Sequence, residues 1–275
     1  MSTNDVIAHS YHPGLDQKSV KVEICIDSYE SVKALCSIVG DDGYRIEVCS
    51  NLMSGGGLTP SLGLVTQCHN LLTYNAFMIM IRPRTGSFVY GHAEVDTMLH
   101  EIAGFRDLGV RGVVLGCLTE DGKVDVPVTR RLVTAAKPLE VTFHRAFDVT
   151  NDWRQAFDDI VSIEGIDRIL TSGHAKTAFD GASELSQLIA YANDLKHNRK
   201  IIITPASGIN ADNVSHLREL IPDMEEVHLS CGRSVKEEDS EAIRRGVELG
   251  FGKGEVWRLD ERRLSEFWQV IAGWK

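Results

Sequence analysis

Two short segments near the start of the chain, Glu23-Ile24-Cys25-Ile26-Asp27 and Arg45-Ile46-Glu47-Val48-Cys49, alternate an aliphatic residue with a charged group or a thiol. A period of two reads as a β-strand, with successive side chains on opposite faces. In a half-buried strand the polar face would meet water. Each of these segments is followed by a helix-like stretch, however, and parallel βα units have both faces of the sheet covered. A closed barrel gives the polar face somewhere to point. The aliphatics then meet outer helices, while Glu23, Cys25, Asp27, Arg45, Glu47 and Cys49 point inward. Charges that cost several kcal/mol to bury unpaired must find a ligand there, or one another.

The same alternation recurs along the chain. Strand-like segments fall near 21–27, 43–49, 76–82, 111–116, 139–144, 167–172, 200–204 and 225–230, with helix-like runs between them. Ser28 with Ser31 offers an N-cap before Val32, Leu35 and Val39. Thr59-Pro60 places proline near a helix start. Between Glu94 and Leu108, Val95, Met98, Leu99, Ile102 and Phe105 form one apolar stripe. Asp125-Val126-Pro127, Asn151-Asp152, the stretch from Gly181 and Asn210-Ala211-Asp212 begin the next four helices. Gly40, Gly109 and Gly165 are placed to close helices. Seven βα units and an eighth strand predict an α/β fold, a (β/α)8 TIM-type barrel in one domain, residues 21–275, after a disordered lead-in, residues 1–20. The eighth unit is irregular. A polar stretch from Lys236 to Arg245 and glycines at 246, 250, 252 and 254 precede a C-terminal amphipathic helix carrying Leu264, Phe267, Trp268 and Ile271. That helix is expected to seal the barrel flank, or else to sit in a subunit interface.

Composition narrows the function. A net charge of −10 over 275 residues argues against generic binding to nucleic acid or anionic membranes. No apolar run approaches the roughly 18–20 residues that span a bilayer. Cysteines 25, 36, 49, 68, 117 and 231 are dispersed, with no Cys-x-x-Cys, and read as reduced thiols in the cytosol.

In a barrel of this kind function lies at the C-terminal ends of the strands, and every strand here ends in polar groups. They include Asp27-Ser28, Cys49-Ser50-Asn51 with the glycine run 55–57, Arg82-Pro83-Arg84, His144-Arg145-Ala146-Phe147-Asp148, Thr171-Ser172-Gly173-His174, and His228 with Ser230. His144 continues the inward phase of Thr142 and can exchange a proton near neutrality. Arg145, outward by strict alternation, can pair with Asp148. Arg82, Arg84, Arg145 and Ser172 are candidate anion-binding residues. Glu23, Glu47 and His144 are candidate acid/base groups.

Seven of these motifs together resemble one family. Glu23-Ile24-Cys25-Ile26-Asp27-Ser28, Arg45-Ile46-Glu47-Val48-Cys49-Ser50, Gly56-Gly57-Leu58-Thr59-Pro60-Ser61 and Met80-Ile81-Arg82-Pro83-Arg84 are similar to the CutC copper homeostasis family. So are Leu118-Thr119-Glu120-Asp121-Gly122, Phe143-His144-Arg145-Ala146-Phe147-Asp148 and Leu170-Thr171-Ser172-Gly173. They occur in family order over about residues 21–230. The resemblance implies a TIM-type barrel, self-association, Cu(I) binding and a cytoplasmic, sometimes nuclear, location, but no known reaction. The chain departs from the family after strand 7, where Ala206-Ser207-Gly208-Ile209 stands in place of a glycine run, and it matches weakly after Ser230.

Cu(I) also has a physical basis. It is soft and prefers sulfur ligands, and Cys25 and Cys49 are inward near the ends of neighbouring strands ~4.8 Å apart. The family points to the same pair, with inward Met80 as a further sulfur or as core. Three functions remain in competition. One is copper homeostasis through Cu(I) on Cys25 and Cys49. Another is an enzyme acting on a small phosphorylated or carboxylated metabolite, with Glu23, Glu47 and His144 in acid/base roles and the arginines as anchors. The last is a scaffold whose inward charges pair with one another.

Overall fold

The computed structural model describes residues 20–40, 43–72, 76–194 and 199–274. The lead-in expected over residues 1–20 lies outside them, apart from Val20. From the N-terminus come β1 (Lys21–Ile26), α1 (Tyr29–Val39), β2 (Tyr44–Val48), a short α2 (Leu52–Gly55), α3 (Leu62–His69), β3 (Phe77–Met80), α4 (His92–Leu108), β4 (Gly112–Leu115) and α5 (Val126–Ala136). They are followed by β5 (Glu140–Phe143), a 3-10 turn (Arg145–Val149), α6 (Trp153–Val161), β6 (Arg168–Thr171), α7 (Ala182–Ala192), β7 (Ile202–Pro205), α8 (Val214–Leu220) and β8 (Glu226–Leu229). All eight expected strands are present. Three helices start where the sequence marks them, whereas α8 begins at Val214, beyond the expected Asn210–Asp212. Ser28 caps α1, Asp125 caps α5 ahead of Pro127, and Asp152 caps α6, each side chain accepting from backbone N–H groups of the first turn.

The eight strands are parallel and run β7-β6-β5-β4-β3-β2-β1-β8. A parallel bridge between Ala206 and His228 brings the two ends together. This is a nearly closed TIM-type barrel. Val22, Ile24, Ile46, Val48, Phe77, Ile79, Val113, Leu115, Val141 and Phe143 face outward and form one core with the helices. A separate, small apolar group of Cys49, Met78, Met80 and Val114 lies inside the barrel. Strand alternation therefore sorts the residues into an apolar shell and a mixed interior.

Two glycines bracket inward-facing Val114, Gly112 at the start of β4 and Gly116 just past its end. A Cβ on Gly112 would fall 2.5 Å from the Glu140 carbonyl and 2.6 Å from Met78, and one on Gly116 would fall 2.6 Å from the His144 ring. Glycine at these two places is what lets Met78 and His144 fold inward.

After β8 the chain forms an antiparallel hairpin, β9 (Gly232–Lys236) with β10 (Glu255–Leu259), and α9 (Glu241–Glu248) lies between its strands. The final helix, α10 (Glu261–Ala272), returns to the flank against α1. Leu264 and Phe267 are fully buried, and Trp268 meets Tyr44 edge-on with ring centroids 6.0 Å apart. The expected amphipathic helix thus seals the barrel flank. The hairpin and α9 occupy the polar, glycine-rich stretch in which the sequence pattern predicts no element.

Candidate functional site

The barrel interior is layered, and its lowest layer is ionic. Arg45 on β2 reaches Glu23 on β1 through Nε at 2.8 Å, and pairs with Glu226 on β8 through both Nη atoms. Glu226 also meets Arg168 of β6 at 3.3 Å and accepts from Thr204 at 3.1 Å; Arg168 in turn pairs with Glu140 on β5. Arg45 and Glu23 are 4% and 1% exposed, so these charges survive only as a set. Burial alone would raise the Glu23 carboxyl. The Arg45 charge and the His228 hydrogen bond override it and hold that carboxyl well below the usual range.

At and above the top of this layer stand His228, Cys25 and Glu47, whose donor atoms all lie within 4.8 Å of one another. The strand register explains the grouping. Glu23 is level with His228 across β1–β8, and Cys25 is level with Glu47 across β1–β2. His228 Nδ1 lies 2.9 Å from Glu23 Oε1 and its Nε2 lies 3.7 Å from Glu47 Oε2. Burial opposes charge on His228, but Cys25, the hydrogen-bonded Glu23 and Glu47 together raise its pKa well above that of free histidine. Burial pushes the Cys25 thiol up, against the pull of His228. It also lifts Glu47 to about 7, with His228 opposing and Glu23 adding. Glu47 Oε1 is buried and has no partner among the described residues.

The cluster opens into a cavity of about 1240 Å³ at the C-terminal ends of the strands, lined among others by Cys25, Glu47, Met80, Arg82, His144, Arg145 and His228. His144 is buried, with Nδ1 accepting from the Ala146 N–H at 3.2 Å. Burial and the nearby Arg82 charge lower its pKa to about 3, so the ring is neutral. The 3-10 turn after β5 brings Arg145 to the cavity wall despite its outward phase. Its Nε donates to Asp148 at 2.7 Å and its Nη2 to Ser172 at 2.8 Å.

Several expected site residues take positions other than those the sequence predicts. Glu23 sits below the cavity in the ionic layer, tied to Arg45 and His228. Cys49 is one inward step beyond Glu47, just past the end of β2. It therefore does not face Cys25 across the register; its thiol donates to Glu47 Oε2 at 3.6 Å, and it packs within the Met78–Met80–Val114 group. Burial and the Glu47 charge push that thiol well above its ordinary pKa. Arg84 does not line the cavity. Past Pro83 the chain leaves the strand direction, and Arg84 turns outward to pair with Glu94 and donate to the Val89 and Ser87 carbonyls at 2.8 and 2.9 Å. Ser172 does not line it either, because its hydroxyl bonds the Ala175 carbonyl at 2.6 Å and Asp148 at 3.0 Å. Arg82 does reach the wall, where it donates to the carbonyls of Gly55 (2.7 Å), Gly57 (3.2 Å) and Gly86 (3.3 Å). Asp27 is likewise structural, accepting from the Leu52 N–H at 3.3 Å and so anchoring α2.

His228 is the site residue that the sequence marks only as one of the polar groups ending strand 8, with no role of its own. Its importance appears only when β8 closes beside β1. No helix among the described residues is long and apolar enough to cross a membrane.

A model of the CutC family matches residues 20–233. A CutC family protein of Glaesserella parasuis is 42% identical over 212 residues, 77% of this chain and 82% of that protein. Among solved structures, the CutC protein of Streptococcus agalactiae, described as a candidate copper homeostasis protein, superposes with a TM-score of 0.68 at 28% identity. The match covers 77% of this chain and 98% of that one. Phosphoribosyl anthranilate isomerase from Thermotoga maritima shares the fold alone, with a TM-score of 0.51 at 14% identity over 92% of this chain and 99% of that one.

Proposed function

The chain belongs to the CutC family, and on that footing we propose that it serves copper homeostasis by carrying a copper ion at the cavity floor. The observation behind this reading is the cluster of Cys25, Glu47 and His228, converging within 4.8 Å, with Glu47 Oε1 buried and unpartnered. Thiol, imidazole and carboxylate form a donor set that copper accepts, though not copper alone. The family name selects copper among the metals such a set would take.

The ion in this proposal is Cu(I). Two inward thiols, Cys25 and Cys49, flank Glu47, and Met80 packs in the same interior group as Cys49. Sulfur-rich surroundings favour the reduced ion. In this reading Cys25 is the thiolate of the converged cluster with Glu47 and His228, and Cys49, a step higher with its thiol 3.6 Å from Glu47, is the second thiolate ligand. All six cysteines are free, as suits a reducing compartment. We place the protein in the cytoplasm or nucleus, as a homo-oligomer.

Anaerobic competition titration of wild type, Cys25→Ser, Cys49→Ser and His228→Ala against a Cu(I) chelator tests the proposal. One Cu(I) per chain is expected in wild type, with affinity at least about tenfold weaker in each cysteine variant. Unchanged stoichiometry and affinity in both cysteine variants would reject it.

A further inference from the structure

A single ion fills little of a cavity of about 1240 Å³, and the wall facing the donor cluster is built differently. The cluster belongs to the adjacent strands β8, β1 and β2. His144 and Arg145 follow β5, four strands from β1, and Arg82 follows β3. On this wall His144 is only 3% exposed. Its Nδ1 accepts from the Ala146 N–H, so the proton of the neutral ring sits on Nε2. That Nε2–H is buried and has no acceptor among the described residues. A buried donor left unpaired is rare in a folded protein and calls for an explanation.

The charges around His144 indicate what it meets. Phe88 packs against both neighbours: its ring centroid is 4.9 Å from that of His144 and 4.9 Å from the Arg82 guanidinium carbon. Arg82 is bonded to three carbonyls and to no carboxylate among the described residues, so its positive charge stands uncompensated. Arg145 shares the wall, held by Asp148 and Ser172 through Nε and Nη2. Because Arg82 helps to keep His144 neutral, the imidazole works as a fixed donor and does not compete as a second cation.

We infer that this wall is a binding site for a small organic oxyanion, a carboxylate or phosphate whose oxygen accepts from His144 Nε2–H while Arg82 and Arg145 supply the positive field. The body of the molecule lies against Phe88, Met80 and Leu170, which line the same cavity. The anion-binding groups of this site are distinct from Cys25, and the site stands whether or not an ion occupies the floor.

The test uses metal-free protein in chelator. Its melting temperature is followed against inorganic phosphate, acetate, lactate and malonate, with chloride at matched ionic strength as the control. An oxyanion at about 100 times its dissociation constant should raise the midpoint by about 5 °C, and the shift should grow with the logarithm of its concentration. Whether phosphate or the carboxylates respond assigns the anionic group. His144→Phe, which keeps a ring against Phe88, should fold and lose the response; Cys25→Ser should keep it. The proposal is overturned if no oxyanion exceeds chloride, if His144→Phe responds like wild type, or if Cys25→Ser abolishes the response. Should His144→Phe fail to fold, the wild-type protein still decides. The His144 Nε2–H resonance of 15N-histidine-labelled protein must move on addition of the responding anion, and an unmoved resonance rejects the site.

Discussion

Arg45→Met removes the cation on which the ionic layer depends and leaves most of the side-chain volume in place. Arg45 serves Glu23 through Nε and Glu226 through its Nη atoms, and all three side chains are nearly inaccessible to water. Deleting one partner of a buried pair costs about 3–5 kcal/mol, because the remaining charge is stranded. Here two carboxylates are stranded, although Glu226 keeps Arg168 and Thr204 and Glu23 keeps His228. We therefore expect a loss of about 3–5 kcal/mol at pH 7, read from urea denaturation, with a midpoint lower by on the order of 10 °C.

The pH dependence carries a definite sign. In wild type Glu23 is held low, so its stabilisation is complete above the unfolded value near 4.3 and disappears as pH falls through the lower folded value. In Arg45→Met the stranded carboxyls lose their cation, and burial raises them. The variant then recovers stability relative to wild type as pH falls from 7 towards 4. The deficit must narrow on acidification, and Glu23→Gln added to Arg45→Met should restore part of it at pH 7. A variant within 1 kcal/mol of wild type at pH 7, or a deficit that widens towards pH 5, would refute the claim that these charges hold one another.

Gly116→Ala should destabilise the protein by about 1–3 kcal/mol, because its Cβ would sit 2.6 Å from the His144 ring; denaturation melts together with a shifted His144 resonance check this. Copper loading should release protons, and its affinity should rise with pH through the neutral range, because burial raises the Cys25 thiol above its ordinary value; calorimetry in buffers of different ionisation enthalpy counts those protons. His144, lowered to about 3, binds its proton more readily unfolded than folded. Wild type should therefore lose up to about 1.4 kcal/mol per pH unit below 6.5 from this residue, and His144→Phe should remove that slope in acid denaturation. Glu23→Gln should let His228 titrate closer to the ordinary histidine range, because Glu23 is one of the groups that raise it; histidine NMR follows the change.

The alternation of β1 and β2 was enough to assign Glu23, Cys25, Arg45 and Glu47 to the barrel interior, and the recurrence of the pattern was enough for the fold. Phase tells which face a side chain takes, but it does not tell how high the side chain stands in the barrel. Cys25 and Cys49 share a phase, yet the β1–β2 register sets Glu47 beside Cys25 and lifts Cys49 a step higher. Height also separates Glu23, in the ionic layer, from Glu47 at the cavity. Residues brought in by closure were harder still. Glu226, Arg168 and His228 gain their partners from strands distant in sequence, and no local spacing announces them. Beyond strand ends alternation fails altogether. Arg84 turns away after Pro83, while Arg145 swings to the cavity through a 3-10 turn. The hairpin enclosing α9 was hidden because polar, glycine-rich sequence lacks the hydrophobic period that reveals strands.

The barrel's closure has a mechanical consequence. Continuous ladders join β8 to β1 and β1 to β2, whereas between β7 and β8 the described backbone pairing is the single Ala206–His228 bridge. The cylinder therefore has a seam, and Cys25, Glu47 and His228 all belong to the β8-β1-β2 side of it. The spacing of those three donors is therefore set by two continuous ladders and not by the β7–β8 junction. Closure of the cylinder and the geometry of its floor are thereby uncoupled: the three donors keep their places through ladders that the weakest junction does not interrupt.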